Sequence, residues 1–366
     1  MKISFNPIKK CDILILDKGL SNLIFENKKH KEVNLEEINF FCALKSLINY
    51  FKKENELFNL KKIYKKTLYK AYSPKVIISN FISQRGQECK ILCPEIKVIL
   101  YQFTYFNHDT IKPMIFYFSK YKTFEELYDY FLVFSKKDIK FLEKYNIKKK
   151  ENLIVSGSII NNARKEIENF KKIHDLTYIS QYIHYSDDYY AEGHFKGEKF
   201  IINALSEYCR QKNLNLTIAL RGARKDKKYD AAFKKSEINY YKNLTQYQKI
   251  YFSDEDSLKL AVQSELIICF YSNLGLELIS RGYKVLFLPV NEVFGGSKYY
   301  HLPETDSSVT ERELKQESVI EKIEFLYNLD QAAWKDHVKL NDLKLMQFDP
   351  ENKILKNIVN KLIKKK

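Results

Sequence analysis

The sequence predicts an α/β protein with two domains, each built on a parallel sheet covered by helices. Its 366 residues exceed one ordinary domain and suit two of roughly 150–200 residues each. The hydrophobic fraction of 45% supplies enough apolar side chains for two packed cores. Short apolar runs alternate with amphipathic stretches along the whole chain, which is the pattern of repeated strand–helix–strand units.

The first half of the chain contains five apolar, β-rich runs that predict strands. These runs are continuous in apolar residues rather than alternating, which favours parallel strands buried on both faces. Helical spacing over 35–51 and amphipathic stretches at 123–129 and 136–145 separate some of them. The predicted strands are residues 11–16, 75–79, 97–103, 130–135 and 152–156.

The second half repeats the alternation of strands and helices. A polar, lysine-rich stretch at 161–174 marks the boundary, which gives predicted domains of 1–165 and 166–366. We expect two C-terminal helices, 317–329 and 354–366, to pack back across a cleft between the domains. The other predicted elements are strands at 176–180, 214–220, 249–252, 266–270 and 284–289 and helices at 197–212, 257–264 and 274–281.

Composition limits the partners and the compartment. Lys and Arg number 62 against 46 Asp and Glu, so the formal charge of +16 implies an anionic partner or surface. Lysine is spread along the chain together with the other residues that AT-rich codons encode, so we expect no nucleic-acid partner. The chain opens without an apolar signal sequence and has no stretch of the ~20 apolar residues that a membrane span needs. We therefore expect a cytoplasmic protein with reduced thiols, in which Cys11 and Cys269 are buried.

The most informative polar residues follow the predicted strand at 266–270. In an open α/β sheet, ligands bind beyond the carboxyl ends of the strands. Ser272 and Asn273 stand where the next helix begins, and with the small Gly275 they form a candidate phosphate cradle. Glu277 follows in the first turn or just beyond, where it can receive ribose hydroxyls. The alternative interpretation is ordinary helix capping with a surface glutamate.

Two further strand ends in the second half carry candidate donor-binding residues. Arg221 and Arg224 follow one strand and could grip a diphosphate or a carboxylate with two parallel hydrogen bonds. Ser180 and Gln181 follow another and could contact a phosphate or a base. The alternatives are solvated surface arginines and a polar loop.

The first half supplies candidates for an acceptor side. Asp17 follows the first predicted strand directly, and we expect it to act as the base that removes a proton from an acceptor hydroxyl. His108 and Asp109 follow the strand at 97–103 and are the other candidate bases. The remaining acceptor-side candidates are Gln84, Arg85 and Gln102.

Several signatures of other protein classes are missing from the sequence. It contains no Walker A loop, no G-x-G-x-x-G, no G-x-S-x-G and no H-E-x-x-H. The C-x3-C pair of Cys89 and Cys93 has no second pair or nearby histidine to complete a zinc set. The D-x-D triplet at 254–256 precedes a predicted helix, so we interpret it as capping rather than as a metal site.

Five blocks of the sequence together resemble a bacterial family. They are YISQY at 178–182, IALRG at 218–222, EINYYK at 237–242, SNLGLE at 272–277 and RGYKVLF at 281–287. The resemblance is to O-antigen and surface-carbohydrate biosynthesis proteins, which are similar in turn to GT-B transferases for Kdo and other 2-keto sugar acids. The family pattern Ser-Thr-Leu-Gly-Tyr-Glu differs here, because Asn273 replaces threonine and Leu276 replaces tyrosine.

The resemblance implies a GT-B-like fold, in which two Rossmann-like domains face each other across a cleft. It implies an acceptor domain at 1–165 and a donor domain at 166–366, with Ser272, Asn273, Glu277 and Arg221 on the donor side. The implied activity is metal-independent glycosyl transfer in O-antigen, capsule or lipooligosaccharide synthesis. The donor is a nucleotide sugar used as a co-substrate, with a CMP-activated acidic sugar favoured, and no other cofactor is implied.

The remaining partners are a glycan or lipid-linked acceptor and an anionic membrane. The basic end at 363–366 and the overall charge favour reversible contact with such a membrane. Two alternatives stay open at this point. One is a nucleotide-sugar epimerase of the same fold, and the other is a basic, non-enzymatic RNA- or membrane-binding protein.

Overall fold

The chain divides into two compact units. A computed structural model describes residues 2–17, 20, 30–33, 37–52, 59–106, 111, 123–145, 150–165, 171–182, 189–221, 231–270, 272–289, 294, 307–313, 315–343 and 345–364. The first unit comprises residues 1–165 and 347–366, and the second comprises 166–346. Each unit is built on one large parallel sheet with helices.

The first unit holds a six-stranded parallel sheet in the order β3-β2-β5-β6-β7-β8. Its strands are β2 (Ile13–Ile15), β3 (His30–Glu32), β5 (Val76–Asn80), β6 (Lys97–Tyr101), β7 (Tyr130–Val133) and β8 (Leu153–Val155). A separate parallel pair joins β1 (Lys2–Ser4) to β4 (Glu37–Asn39). The helices are α1 (Phe40–Phe51), α2 (Leu60–Tyr72), α3 (Arg85–Leu92), α4 (Lys136–Glu143), α5 (Ile159–Ala163) and a C-terminal α12 (Lys353–Lys364).

Both faces of this sheet are buried, as the continuous apolar runs predict. On one face, Leu14, Ile77 and Val98 pack with buried residues of α2, α3 and α4. On the other face, Ile13 and Ile78 pack with residues of α5 and α12. Removal of apolar surface on both sides of the strands is the main driving force for this layered arrangement.

The C-terminal segment corrects our predicted domain ranges. We expected 166–366 to form one domain, but 347–366 belongs to the first unit. Leu355, Ile358 and Val359 of α12 lie in the core of that unit. Asn352 Nδ2 also donates to the Ile159 carbonyl over 2.9 Å. The amphipathic pattern of α12 predicts a buried face, and only the fold decides which unit it covers.

The second unit holds a five-stranded parallel sheet in the order β11-β10-β9-β12-β13. Its strands are β9 (His174–Ile179), β10 (Leu216–Ala219), β11 (Ile250–Ser253), β12 (Ser264–Cys269) and β13 (Val285–Phe287). The helices are α6 (Tyr189–Lys212), α7 (Ala231–Leu244), α8 (Ser257–Val262), α9 (Asn273–Ser280), α10 (Gln316–Asn328) and α11 (Gln331–Leu340).

Ten predicted strands are confirmed, each within a few residues of its predicted bounds. The structure adds the short strands β1, β3 and β4. Each has only three residues, which is too few for a sequence pattern to show. The helix predicted from residue 35 begins at Phe40, after β4, and the stretch at 123–129 contains a 3₁₀ turn. Helix α10 packs on β12, β13 and α6 of its own unit, through buried Val319, Ile323 and Leu326. We had expected it to pack back across a cleft.

Candidate functional site

The best candidate site of the second unit lies at the carboxyl ends of β9 and β12. These strands are neighbours at the point where the strand order reverses, because the chain adds β10 and β11 on one side of β9 and β12 and β13 on the other. Loops that leave such a reversal point in opposite directions open a crevice for a ligand. Ser180 and Gln181 follow β9, and Ser272 follows β12.

Ser272 caps helix α9 at this sheet edge. Its Oγ accepts a hydrogen bond from the Leu274 N–H over 3.2 Å, and its backbone is extended. Asn273 is the first residue of the helix, so the N–H groups of the first turn, two of which bond to Ser272, lie beside these two polar side chains. This is the strand–cap–helix geometry that the sequence predicts, and it is suited to binding an anion.

Gly275 has a packing role. A Cβ atom built on it would lie 2.5 Å from Phe287 Cε1 and 3.2 Å from Cys269 Sγ. Only glycine therefore lets the first turn of α9 approach β12 and β13 this closely. Glu277, one turn into the helix, is only 9% exposed, which contradicts the alternative of a surface glutamate.

A buried polar network lies directly beneath the end of β9. Ser180 Oγ donates a short hydrogen bond to Glu237 Oε1. The Tyr241 hydroxyl lies 2.8 Å from Ser180 Oγ and 2.7 Å from Glu198 Oε1. The Tyr178 hydroxyl donates to the same Glu198 oxygen over 2.8 Å. Glu198 and Glu237 are both fully buried, so these hydrogen bonds replace the water that Oε1 of each carboxylate has lost.

The partners of Glu198 in this network favour its charged form. Burial opposes its charge, but His194 and the hydroxyls of Tyr241 and Tyr178 outweigh that effect and lower the pKa of Glu198 below its ordinary value. Glu198 Oε2 lies 3.6 Å from His194 Nε2, and the Gln181 N–H donates to Oε1 over 3.2 Å. His194 Nε2 is also 2.9 Å from the Gln181 carbonyl oxygen. The network thus holds both backbone polar groups of Gln181 in place.

Arg221 is attached to the same network. Its backbone N–H donates to Glu237 Oε1 over 3.0 Å, and its Nη1 donates to the Tyr182 carbonyl over 2.9 Å. The guanidinium therefore lies against the loop that follows β9, beside Ser180 and Gln181. Arg224 lies outside the described residues.

The first unit has a matching site at the carboxyl ends of β2 and β5, where its own strand order reverses. Asp17 Oδ2 accepts hydrogen bonds from the Asn80 N–H over 2.6 Å and from the Tyr101 hydroxyl over 3.1 Å. The other Asp17 oxygen accepts from the Asn80 side chain. Arg85 Nη1 donates to the Leu16 carbonyl over 2.9 Å and so lies close to this carboxylate.

Asp17 is partly withdrawn from water. Burial raises the pKa of Asp17 above its ordinary value, although the Asn80 and Tyr101 hydrogen bonds and the charge of Arg85 oppose the rise. A carboxyl group with a raised pKa at the edge of a sheet has the properties of a general base. The position of Asp17 at the strand end is as predicted, and its catalytic role stays a prediction.

The other acceptor-side candidates differ in their surroundings. Gln84 directly precedes α3 with a left-handed backbone, φ 58°, and is half-buried. Gln102 is only 2% exposed, and both the oxygen and the nitrogen of its side-chain amide form hydrogen bonds within the protein. Its Oε1 accepts from the Phe134 N–H over 2.7 Å, and its Nε2 donates to Asp138 over 2.9 Å. This arrangement fits a structural role better than the acceptor contact that we predicted. His108 and Asp109 lie outside the described residues.

The D-x-D triplet is engaged within the fold. Asp256 caps α8 by accepting from the Leu258 and Lys259 N–H groups, as the capping interpretation predicts. Asp254 pairs with Lys234, and Glu255 pairs with Lys259 over 2.9 Å. Among the residues that the structure describes, no three His, Cys, Asp or Glu side chains cluster as metal ligands. Metal independence stays a prediction.

Sequence reasoning missed the supporting network. It gave no role to His194, Glu198, Glu237 or Tyr241. Two signals were present, since His194 and Glu198 are four residues apart on α6, and Glu237 and Tyr241 are four apart on α7. Such spacing places each pair on one helix face. Which faces turn towards β9 depends on the packing of two helices against the sheet.

Two Rossmann-like units of this kind define the class as GT-B. Residues 114–363 match the family described as "putative O-antigen biosynthesis protein". This match covers more than half of the chain, and the protein belongs to that family. No curated protein matches the chain by sequence.

Solved structures agree with this fold. Staphylococcus aureus MnaA in complex with UDP is 12% identical with a TM-score of 0.56, covering 99% of this chain and 97% of that one. UDP-GlcNAc 2-epimerase from Neisseria meningitidis, bound to UDP-GlcNAc, is 11% identical with a TM-score of 0.52, covering 99% and 100%. The GtfA/B complex is 12% identical with a TM-score of 0.52, covering 84% of this chain and only 61% of that chain. At these identities the similarity establishes the fold.

Proposed function

We propose that this protein is a glycosyltransferase of surface-polysaccharide synthesis that takes its sugar from a nucleotide donor. The observation that carries the proposal is the second unit's site at the ends of β9 and β12, in a chain of the O-antigen biosynthesis family. There, the capped start of α9 follows β12, the strand next to β9. A buried network holds the Ser180 side chain and the Arg221 backbone N–H. A preorganised cationic and N–H-rich edge is what a departing nucleotide phosphate requires.

The donor half of the reaction is assigned to this edge. As the bond between the sugar and the phosphate breaks, negative charge grows on the phosphate oxygens. The N–H groups at the start of α9 and the Ser272 hydroxyl stabilise that charge, with Arg221 beside them. Glu198 and Glu237 do not touch the donor in this proposal; they position Gln181 and Arg221.

The acceptor half is assigned to Asp17. An acceptor hydroxyl forms the new bond to the sugar, and its proton passes to the Asp17 carboxylate. Tyr101 and the Asn80 side chain hold that carboxylate in one orientation through their hydrogen bonds. Arg85 is close enough to limit the rise in its pKa. That Asp17 and the donor edge serve one reaction is part of the proposal.

A second candidate function is nucleotide-sugar epimerisation. It is favoured by the similarity to the Neisseria meningitidis UDP-GlcNAc 2-epimerase, which holds UDP-GlcNAc, over nearly the full length of both chains. An epimerase interconverts its sugar nucleotide without any acceptor, whereas a transferase needs one. Incubation of each sugar nucleotide with and without acceptor, followed by NMR of the sugar, therefore separates the two functions.

We propose that the donor carries a pyrimidine nucleotide, either CMP or UDP. The family resemblance favours a CMP-activated acidic sugar, and the similar solved structures hold UDP or UDP-GlcNAc. A thermal-shift panel of CMP, UDP, GDP and their sugars tests the choice, because a ligand that binds only the native state raises its melting temperature. A rise with a pyrimidine nucleotide supports the donor assignment, and no rise with any of them contradicts it.

The acceptor and the location complete the proposal. A glycan or lipid-linked acceptor at an anionic membrane suits the formal charge of +16. None of the helices in the described part of the chain is long and apolar enough to cross a bilayer. Contact with the membrane is therefore proposed through a surface of the protein. The basic residues Lys365 and Lys366, which motivated this idea, lie outside the described residues.

A further inference from the structure

Helix α1 presents its large apolar side chains to the outside. The residues that it buries are small, Cys42 and Ser46. The Ser46 hydroxyl donates a hydrogen bond to the Cys42 carbonyl. A surface helix normally does the opposite and buries its apolar stripe. The outward stripe, which we call the α1 face, consists of Phe40, Phe41, Leu44, Leu47, Ile48 and Phe51.

The α1 face is the main concentration of exposed apolar groups in the described part of the chain. Of the 16 exposed large hydrophobic residues, 10 lie between Ile3 and Leu60. Phe51 is 77% exposed. Phe5 is 63% exposed and contacts Phe40, with the two rings tilted by 35° and their centroids 5.1 Å apart. Scattered apolar residues need no explanation, but a contiguous group of this size marks a surface that meets an apolar phase.

Lysines are the charged residues in the described parts of α1 and α2. The described parts of 40–72 contain seven lysines and no aspartate or glutamate. Three of them, Lys45, Lys66 and Lys70, line a cavity of about 670 Å³ between α1 and α2, together with apolar Pro7 and Ile8. Apolar anchors beside lysines are the combination that binds the boundary between phospholipid headgroups and acyl chains.

We propose that the α1 face docks the protein on a bilayer of anionic phospholipid. The aromatic and leucine side chains enter the headgroup–acyl boundary. Lys45 and Lys70, both exposed, meet lipid phosphates at the rim of the cavity. Each lysine near an anionic surface strengthens binding by about fivefold, so this group suffices for reversible attachment when combined with the apolar anchors.

The charge distribution favours a membrane over a second copy of this chain. A symmetric dimer through the α1 face would place the same patch against itself. The lysines of one copy would then face the lysines of the other. The described residues of α1 and α2 supply no acidic partner for them in either copy. Like charges brought together in this way oppose association, whereas an anionic bilayer attracts all of them.

This inference assigns a surface to the membrane contact in the proposed function, and it is tested separately from donor chemistry. The purified full chain is sedimented with vesicles of phosphatidylglycerol and phosphatidylcholine, and with vesicles of phosphatidylcholine alone. We expect wild-type protein to bind the anionic vesicles and to be released by high salt. The double variants Phe41→Ser/Phe51→Ser and Lys45→Gln/Lys70→Gln should each weaken binding by about tenfold or more.

Matched controls lie on the second unit. Leu340→Ser removes an apolar residue that is 83% exposed, and Lys335→Gln/Lys339→Gln removes two exposed lysines of the same helix. Both controls should bind vesicles as wild type does. Circular dichroism and nucleotide thermal shifts of every variant verify folding and the donor site independently.

Three results would overturn the inference. The first is wild-type binding by Phe41→Ser/Phe51→Ser, which would leave the membrane contact standing but remove the α1 face from it. The second is the absence of vesicle binding by wild-type protein, which would remove the contact altogether. The third is a dimer in analytical ultracentrifugation that Phe41→Ser/Phe51→Ser converts to monomer, which would make the face a self-association surface.

Discussion

Each unit has a carboxyl group near the point where its strand order reverses, and the pKa values of the two groups shift in opposite directions. In the first unit, Asp17 lies at the reversal point of the sheet, is partly exposed, and has a pKa raised by burial. In the second unit, Glu198 lies beneath the reversal point, is fully buried, and has a lowered pKa because His194 and tyrosine hydroxyls outweigh burial. Burial opposes the charge of both groups, so their different partners account for the opposite directions of the two pKa shifts.

The difference also separates two roles. A carboxyl group with a raised pKa at an accessible strand end can exchange a proton with a substrate. A fully buried carboxylate that binds two tyrosines and a backbone N–H acts as a fixed anchor for the loop above it. We therefore predict that substitutions at Asp17 change catalysis, whereas substitutions at Glu198 change stability first.

The largest effect is expected from Asp17→Asn. The substitution keeps the size of the side chain and removes the base, so transfer should fall by about 10²–10⁴-fold, the usual contribution of general base catalysis. Donor binding by thermal shift should be unchanged. Steady-state kinetics with saturating donor measures the effect.

Asp12→Asn is the matched control for that substitution. Asp12 directly precedes β2, at the opposite end of the strand from Asp17, and pairs on the surface with Lys75 over 3.4 Å. Its turnover should stay near the wild-type value. Near-normal turnover of Asp17→Asn would remove Asp17 from the mechanism and direct attention to His108 and Asp109.

The next effect is on the buried network. Glu198→Gln should lower the free energy of unfolding by about 1–3 kcal/mol at neutral pH, because hydrogen bonds to a charged acceptor are replaced by weaker ones. Urea denaturation measures it. Glu207→Gln, in an exposed pair with Arg210, should stay within about 0.5 kcal/mol of wild type.

The pH dependence of this effect has a definite sign. Because the folded-state pKa of Glu198 is lowered, its stabilisation is present above the ordinary glutamate value of 4.5 and is lost as pH falls through the folded-state pKa. The difference between wild type and Glu198→Gln should therefore shrink below that value. A difference that persists unchanged in acid would mean that the charge of Glu198 is not what stabilises the network.

A smaller effect is expected from Tyr101→Phe. The Tyr101 hydroxyl donates to Asp17 and favours its ionised form. Its removal should raise the pKa of Asp17 further, so the acidic limb of the pH–rate profile should move to higher pH by about one unit. An unmoved limb, with activity otherwise retained, would show that another group sets the profile.

The smallest stability change is expected at the helix caps of the second unit. Ser272→Ala and Asp256→Ala each remove an N-cap and should each cost about 1 kcal/mol. Only Ser272→Ala should also weaken nucleotide binding, because Asp256 caps the helix between β11 and β12 rather than the one that follows β12. Equal nucleotide affinity in the two variants would remove Ser272 from the donor site.

Much of the fold could be predicted because its signals are local. Continuous apolar runs such as 13–15 and 266–269 must be buried on both faces, and the sheet provides this. The cap at Ser272 and the cap at Asp256 each depend on an N–H group two or three residues away. For the same reason the outline of the candidate site at α9 was predictable from the sequence.

The partners of the functional carboxylates could not be predicted in this way. Asp17 meets Asn80 and Tyr101 from positions 63 and 84 residues further along the chain. Glu198 meets Tyr178 from β9 and Tyr241 from α7. Long-range pairs of this kind depend on strand order and helix placement. Sequence motifs relate residues only a few positions apart, so they do not show these pairs.

The sequence by itself determined the alternation of strands and helices, the helix caps and the position of Gly275 in the first turn of α9. Each of these depends on backbone preferences and on neighbours within a few residues. The tertiary structure alone decided that α12 joins the first unit and that α1 turns its apolar face outwards. It also decided which groups surround each buried carboxyl group. The physical reason is that an amphipathic pattern specifies a face but not its partner, and a pKa depends on every group that the fold brings within a few ångströms.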